Sequence, residues 1–256
     1  MSGWQVAAFL LCVALATTAQ SVTGFALALI LLGLTGLLEL APLADVANVA
    51  TVISLLNAAI ALRGTRKSLD NAMLRATIPG SIVGVALGVA LLAWLAANVV
   101  MGLRLLLGLV VIACAIVVLL RAEPLRQRSS PTAFASFGLL SGLLGGLFAA
   151  SGPPLVYHFY RQPIGLDALR DTLMAALAAG GVLRLLMVVA SGQFNRNSLL
   201  LCLLAAPVAI ALTWWFKRRP LGWSREAVLR IVCALLVVTG IGLVVPAVQA
   251  LSGPQG

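Results

Sequence analysis

Residues 133–161, AFASFGLLSGLLGGLFAASGPPLVYHFYR, decide how this chain folds. From Ala133 to Ala150 the stretch is apolar enough to enter a bilayer. Ser151-Gly152-Pro153-Pro154 then interrupts it, and only nine residues, Pro153 to Arg161, remain before a polar gap. Nine helical residues rise about 13 Å, whereas a hydrocarbon core is about 30 Å thick. The spacing therefore predicts a hairpin that enters the membrane and turns back. The run from Trp4 to Ala19 reads the same way: it meets Gln20-Ser21-Val22-Thr23-Gly24, and Phe25 to Leu38 offers 14 residues, about 21 Å of helix.

Irregular backbone at membrane depth is costly unless it is buried in protein or lines a cavity. The breaks also carry helix-start signals. Ser151 is suited to an N-cap, and Pro153-Pro154 to a first turn, where the missing N–H groups have no intrahelical partner anyway. Ser21 or Thr23 is suited to cap the segment opening at Phe25, with Gly24 free to take unusual backbone angles. Two helix N-termini would then point toward the midplane from opposite sides. Their N–H groups and positive dipole ends suit an anion, and Gln20, Ser21, Thr23 and Ser151 add neutral donors. The candidate substrate-binding set is Gln20, Ser21, Thr23, Gly24, Phe25, Asn57, Ser151, Gly152, Pro153 and Pro154.

Composition places both breaks in a membrane protein. Of 256 residues, 62% are hydrophobic and 9% charged, whereas soluble domains run to about 25% charged. Besides the hairpins, Ala44 to Leu62, Ala72 to Trp94, Val99 to Leu120, Asp167 to Ala190, Ser198 to Phe216 and Glu226 to Val245 are long enough to cross. The net charge of +10 would suggest nucleic acid in a soluble chain, but here no basic stripe with interleaved aromatics exists. The basic residues instead sit in gaps between apolar runs. Fourteen of the 17 Lys and Arg (63, 66, 67, 75, 121, 126, 128, 161, 170, 217, 218, 219, 225 and 230) fall on one face if the spans alternate. Arg104 and Arg196 fall on the other, and Arg184 lies within a span. By the positive-inside rule the crowded face is cytoplasmic, both termini lie outside, and Glu39 and Asp45 face outward. No basic residue precedes the first apolar run, so it reads as a retained segment rather than a cleaved signal.

Landmarks recur at nearly one offset. Gly24 and Gly152 are 128 apart, Pro42 and Pro163 are 121, Pro79 and Pro207 are 128, and Arg104 and Arg230 are 126. Two homologous halves of opposite orientation follow. The expected fold is an all-α polytopic membrane protein of two inverted-topology repeats, each a re-entrant hairpin plus three transmembrane helices. Residues 1–120 form the first (hairpin 4–38; helices 44–62, 72–94, 99–120). Residues 121–131 are a cytoplasmic linker, and 132–256 form the second (hairpin 133–161; helices 167–190, 198–216, 226–245). Inverted repeats with broken helices are typical of secondary transporters, with the substrate at the midplane.

Other polar groups are few. Arg184 sits seven residues from Ser191 and reads first as a side chain that snorkels outward, with attraction of an anion as its alternative use. Arg170 and Asp171 are placed to pair or to gate access. His158, the single histidine, reads as packed, with proton coupling as the functional alternative. Gly80, Gly84 and Gly88 form a small-xxx-small face for helix packing. Cys12, Cys114, Cys202 and Cys233 each lie alone in an apolar run, which argues against a metal site or disulfide framework. An intramembrane enzyme is disfavoured: Ser151 and His158 would stand about 10 Å apart along a helix, no HExxH occurs, and no cofactor is expected. No Walker motif points to ATP hydrolysis. An anion channel is the alternative to a transporter.

At these residues the chain resembles the TauE/SafE family of sulfite and organosulfonate exporters. The resemblance rests on Gln20 to Leu29, on Ser141 to Phe148 running into Ser151 to Val156, and on Arg170-Asp171-Thr172-Leu173, which is similar to the family's Arg-x-Thr segment. Ala26 stands where many members have a second Gly. The resemblance implies export of a small sulfur-containing anion across a bacterial cytoplasmic membrane. A proton or sodium gradient would be the coupling partner, lipid the surroundings, and an oligomer compatible with it.

Overall fold

The computed structural model describes residues 3–23, 25–61, 69–119, 125–218 and 225–252, and these are almost entirely helical, with no strand among them. The helices are α1 (Gly3–Thr23), α2 (Leu27–Leu37), α3 (Leu43–Ala61), α4 (Asn71–Asn98), α5 (Val100–Leu119), α6 (Pro131–Phe148), α7 (Gly152–Tyr160), α8 (Leu166–Ala190), α9 (Arg196–Arg218) and α10 (Arg225–Ser252). Among the described residues seven helices carry a window long and apolar enough to cross a membrane: α1, α3, α4, α5, α6, α8 and α9.

Two of these, α1 and α6, were expected as arms of hairpins rather than as crossing lengths. Ser21 and Thr23 continue α1 instead of breaking it, giving 21 residues and about 31 Å. The turn-back segments are as short as expected. With 11 residues in α2 and nine in α7, neither rises more than about 17 Å. Between α6 and α7 the chain turns at Ala149, which takes the left-handed conformation (φ 55°) and donates its N–H to Gly145 O. This is a Cβ-bearing residue in a region that ordinarily favours glycine.

The closest pairing is of α4 with α6. Gly80, Gly84 and Gly88 face Gly138, Gly142 and Gly146, and no Cβ fits at any of the six. A methyl at Gly84 would stand 2.7 Å from Leu143 N, and one at Gly146 would stand 2.8 Å from Gly88 Cα. Small residues let the two backbones touch where lipid gives no hydrophobic drive to association. The glycine face seen in the sequence has this packing role. Other pairings follow a pattern. α4 packs on α6 as α9 packs on α1; α8 packs on α4 as α3 packs on α9; α7 packs on α5 as α2 packs on α10; and α3–α8 and α5–α10 pair across the middle.

Polar contacts gather at the two ends of the bundle. At the linker end, Asp70 caps α4 by accepting from Met73 N–H at 3.0 Å and pairs with Arg128 at 2.7 Å. The Thr172 hydroxyl accepts from Asp70 N–H at 2.9 Å, and Gln162 reaches Ser129. Trp214 and Trp215 are exposed near the end of α9, with Arg218 stacked 3.4 Å above the Trp214 ring. Such aromatic–cation pairs mark a membrane–water boundary. At the opposite end Arg104 pairs with Glu39, and Asp45 meets Asn195 and Ser198.

Candidate functional site

The two breaks meet inside the bundle. A Cβ at Gly152 would fall within van der Waals contact of Phe25 Cβ and 3.0 Å from the ring carbon Cγ. Only hydrogen fits there. Beside this contact lies a cavity of about 70 Å³, room for several waters, since one needs about 10–15 Å³ of such space. Its walls come from both halves of the chain: Gln20 and Phe25 at the first break, Gly145, Ala149, Ser151 and Gly152 at the second, Thr51, Ser54, Leu55 and Ala58 of α3, and Met174, Leu177, Ala178, Gly180, Gly181 and Arg184 of α8.

Among the described residues Arg184 is the one ionisable side chain on this wall. It is 1% exposed and does not snorkel, which corrects the sequence expectation. The reason is its register on α8. Gly180, Gly181 and Arg184 lie one helical turn apart on the face turned toward the cavity. From there the guanidinium reaches two other helices. Nε donates to Gly146 O at 3.0 Å, in the last turn of α6, and Nη1 donates to Thr51 Oγ1 at 2.7 Å, Asn48 Oδ1 at 3.2 Å and Ala47 O at 3.3 Å on α3. A cation at the C-terminal end of α6 is well placed against the helix dipole. Nη2 is buried with no hydrogen-bond partner. Among the described residues no carboxylate pairs with this side chain.

Gln20, Phe25, Ser151, Gly152 and Arg184 thus come together on the cavity. The expected capping does not occur. Ser21 Oγ donates to Thr17 O at 2.8 Å, the back-bond of a hydroxyl inside a helix. α2 starts after Ala26 with no side-chain cap. Ser151 has helical backbone angles and makes no cap bond; its carbonyl accepts from Ser141 Oγ at 2.7 Å, and its hydroxyl packs on Gly145. Pro153 and Pro154 are buried in the first turn of α7, behind the cavity wall. The Thr23 and Arg170 side chains and Gly24 lie outside the described residues. Asn57 turns away from the cavity to α9, where its Oδ1 accepts from Thr213 Oγ1 at 2.6 Å. His158 is wedged between Phe134, edge-on at 4.8 Å, and Phe137, stacked at 4.2 Å, the packed setting first expected. Asp171 is half-buried near the linker end of α8.

Sequence reasoning missed Asn48, Thr51 and Ser54. Their spacing of three on one face of α3 is the signal that was available. Within the described residues no cluster of His, Cys, Asp or Glu could hold a metal ion.

The family profile described as Sulfite exporter TauE/SafE matches residues 9–243. A Cupriavidus necator protein described as a probable sulfite/organosulfonate exporter TauE is 35% identical over 231 residues, which cover 90% of each chain. No solved structure matches.

Proposed function

Because the chain belongs to the sulfite exporter TauE/SafE family, we propose that it carries sulfite, an organosulfonate or a related small anion out of the cell. It would do so as a secondary transporter in the bacterial cytoplasmic membrane. The observation that carries this reading is Arg184: a buried guanidinium on a cavity wall, held by neutral acceptors and leaving Nη2 open. A charge removed from water costs several kcal/mol unless a counter-charge arrives. An anion in the cavity supplies one in direct contact, and Gln20, Thr51, Ser54 and Ser151 add uncharged polar contacts around it.

The architecture we propose is two inverted repeats, residues 1–120 and 132–256, with residues 121–131 cytoplasmic and both termini outside. Support comes from the pairings named above, which map onto one another when every helix number advances by five, and from the touching breaks. The cavity walls draw on residues of both proposed halves, which supports alternating access between them. A proton or sodium gradient would drive the cycle.

The test is efflux of sulfite and methanesulfonate from proteoliposomes. At 4 Å and an effective dielectric constant of 20, the Arg184–anion attraction is about 4 kcal/mol, about a thousandfold in affinity. Arg184→Gln should therefore abolish measurable flux at millimolar substrate. Wild-type protein that moves neither anion, or Arg184→Gln that moves them normally, would defeat the proposal.

A further inference from the structure

A second buried charge is tied to the first. Asp45, in the opening turn of α3, is 3% exposed. Its Oδ1 accepts from Asn195 Nδ2 at 2.8 Å and from Ser198 Oγ at 2.7 Å. Ser198 Oγ accepts in turn from Asn48 Nδ2 at 3.1 Å, and Asn48 Oδ1 accepts from Arg184 Nη1 at 3.2 Å. Three hydrogen bonds therefore run without a gap from the guanidinium on the cavity wall to the carboxylate near the outer end. Asn48 and Ser198 are 2% and 0% exposed, so no bulk water screens the link.

The direction of the relay follows from chemistry. A guanidinium only donates, so Asn48 must turn its oxygen to Arg184 and its NH2 to Ser198. The single Ser198 hydrogen is then committed to Asp45. The three bonds are mutually consistent when Asp45 is ionised, an acceptor at both oxygens. The relay thus aligns two neutral dipoles between a positive and a negative charge, and in an empty cavity each charge compensates the other.

We propose that Asp45 is a proton-binding site linked to the anion site, so that anion binding at Arg184 drives protonation of Asp45. The inference rests on the anion-site reading above. With the cavity empty the pair sums to zero; an anion on Arg184 leaves the Asp45 charge in surplus in a buried setting; one proton on a carboxylate oxygen restores neutrality. No bond other than the new O–H changes. The other ionisable groups at this end are Arg196, exposed at the start of α9, and Glu39 and Arg104, which pair with each other. Of the helices packed on α3, α2 and α6 carry no ionisable side chain, α4 and α8 carry theirs near the linker end apart from Arg184, and α9 carries, besides Arg196, the buried Cys202 thiol and, at its linker end, Lys217 and Arg218. By reciprocity the proton tightens anion binding as the anion tightens proton binding.

The experiment is calorimetric titration of the full chain with methanesulfonate, a monoanion across the working range. It is run at each pH from 5 to 9 in two buffers of different ionisation enthalpy. Wild type should take up as much as one proton per anion, with affinity weakening toward about tenfold per pH unit on the alkaline side. Asp45→Asn keeps an acceptor for Ser198 and should bind methanesulfonate with no proton uptake and no pH dependence. Ser198→Ala keeps the carboxylate but cuts the relay, and should reduce the linkage; it decides the matter if Asp45→Asn does not fold. Wild type that binds without proton uptake, or proton uptake undiminished in the variants, would overturn the inference alone. Failure of wild type to bind methanesulfonate would overturn the anion-site reading with it.

Discussion

Gly180 offers a test in which stability and transport should move in opposite directions. It lies in the middle of α8, is buried, lines the cavity, and has no heavy atom within 4 Å of where a Cβ would stand. A side chain there meets empty space rather than protein. Replacing a mid-helix glycine removes a backbone-entropy cost of up to about 1 kcal/mol. For a chain of this size that corresponds to a melting temperature about 2–4 °C higher. Gly180→Leu, however, puts four carbons into a cavity of about 70 Å³, beside the unpartnered Nη2 of Arg184. Proteoliposome efflux of methanesulfonate should then fall below a tenth of wild type, with Gly180→Ala intermediate. Thermal melting of the same preparations in detergent is the paired measurement. Most damaging substitutions lower both readings, so a stabilised, inactive Gly180→Leu is a signature that general misfolding does not produce. Wild-type flux in Gly180→Leu, or a melting temperature lowered by several degrees, would show that the space beside Gly180 is not where the anion sits.

Three further outcomes follow from particular contacts. Gly152→Ala should have the opposite stability effect, costing about 1–3 kcal/mol by overpacking and lowering flux, because its methyl meets Phe25 Cβ; Phe25→Gly should relieve that cost whereas Phe25→Leu, which keeps the Cβ, should not, as a double-mutant melting cycle would show. Gly84→Leu should cost about 3 kcal/mol or more, since its Cβ would stand 2.7 Å from Leu143 N across the α4–α6 seam; a melting temperature within 2 °C of wild type would contradict that seam. At Asp70, burial works to raise the carboxyl, but Arg128 and the Met73 N–H outweigh it and hold the group below the ordinary carboxylate range. A lowered native pKa stabilises above the unfolded value, about pH 4, and the stabilisation is lost as pH falls through the native one. The melting advantage of wild type over Asp70→Asn should therefore be full at neutral pH and vanish in acid, and an advantage that grows in acid would reverse the sign.

The helices were legible because lipid imposes a simple rule: apolar runs between charged gaps must be helical and roughly of membrane length. All ten lie close to their expected positions. The short segments α2 and α7 were legible from length alone. What hydropathy does not encode is rotation. Asn57 and Ala58 are neighbours, but one residue turns a helix by about 100°, and so Ala58 lines the cavity while Asn57 bonds to Thr213 on α9. The same uncertainty in rotation is why Arg184 read first as a snorkelling side chain rather than an inward one. Its partners on α3 lie 133 to 137 residues away in sequence, and Gly146 on α6 lies 38 away. The caps failed for a different reason. Ser21 and Ser151 sit where hydroxyls can cap, but each found a role within local helical structure, and the distinction depends on where the preceding helix ends.

The polar wall and the glycine seam imply different mechanical roles for neighbouring helices. α4 and α6 touch backbone to backbone at six glycines, and separating them would open voids along the full seam, each forfeiting packing that lipid tails cannot replace in so narrow a gap. α3 and α8 are instead joined across the cavity through Arg184, whose bonds to Thr51, Asn48 and Ala47 are contacts that a bound anion or water can replace group for group. Hydrogen bonds that can be exchanged cost little to rearrange, because the net worth of each is the difference between two partners. If the cavity opens as the proposed transport requires, the parting should be cheapest between α3 and α8, with the α4–α6 pair held together. On that division of labour, the residue proposed to recognise the anion is also the one that fastens α3 to α8. In the proposed cycle an anion at the open Nη2 would act on the side chain whose Nη1 holds α3, so its binding energy would be delivered where the two helices have to part.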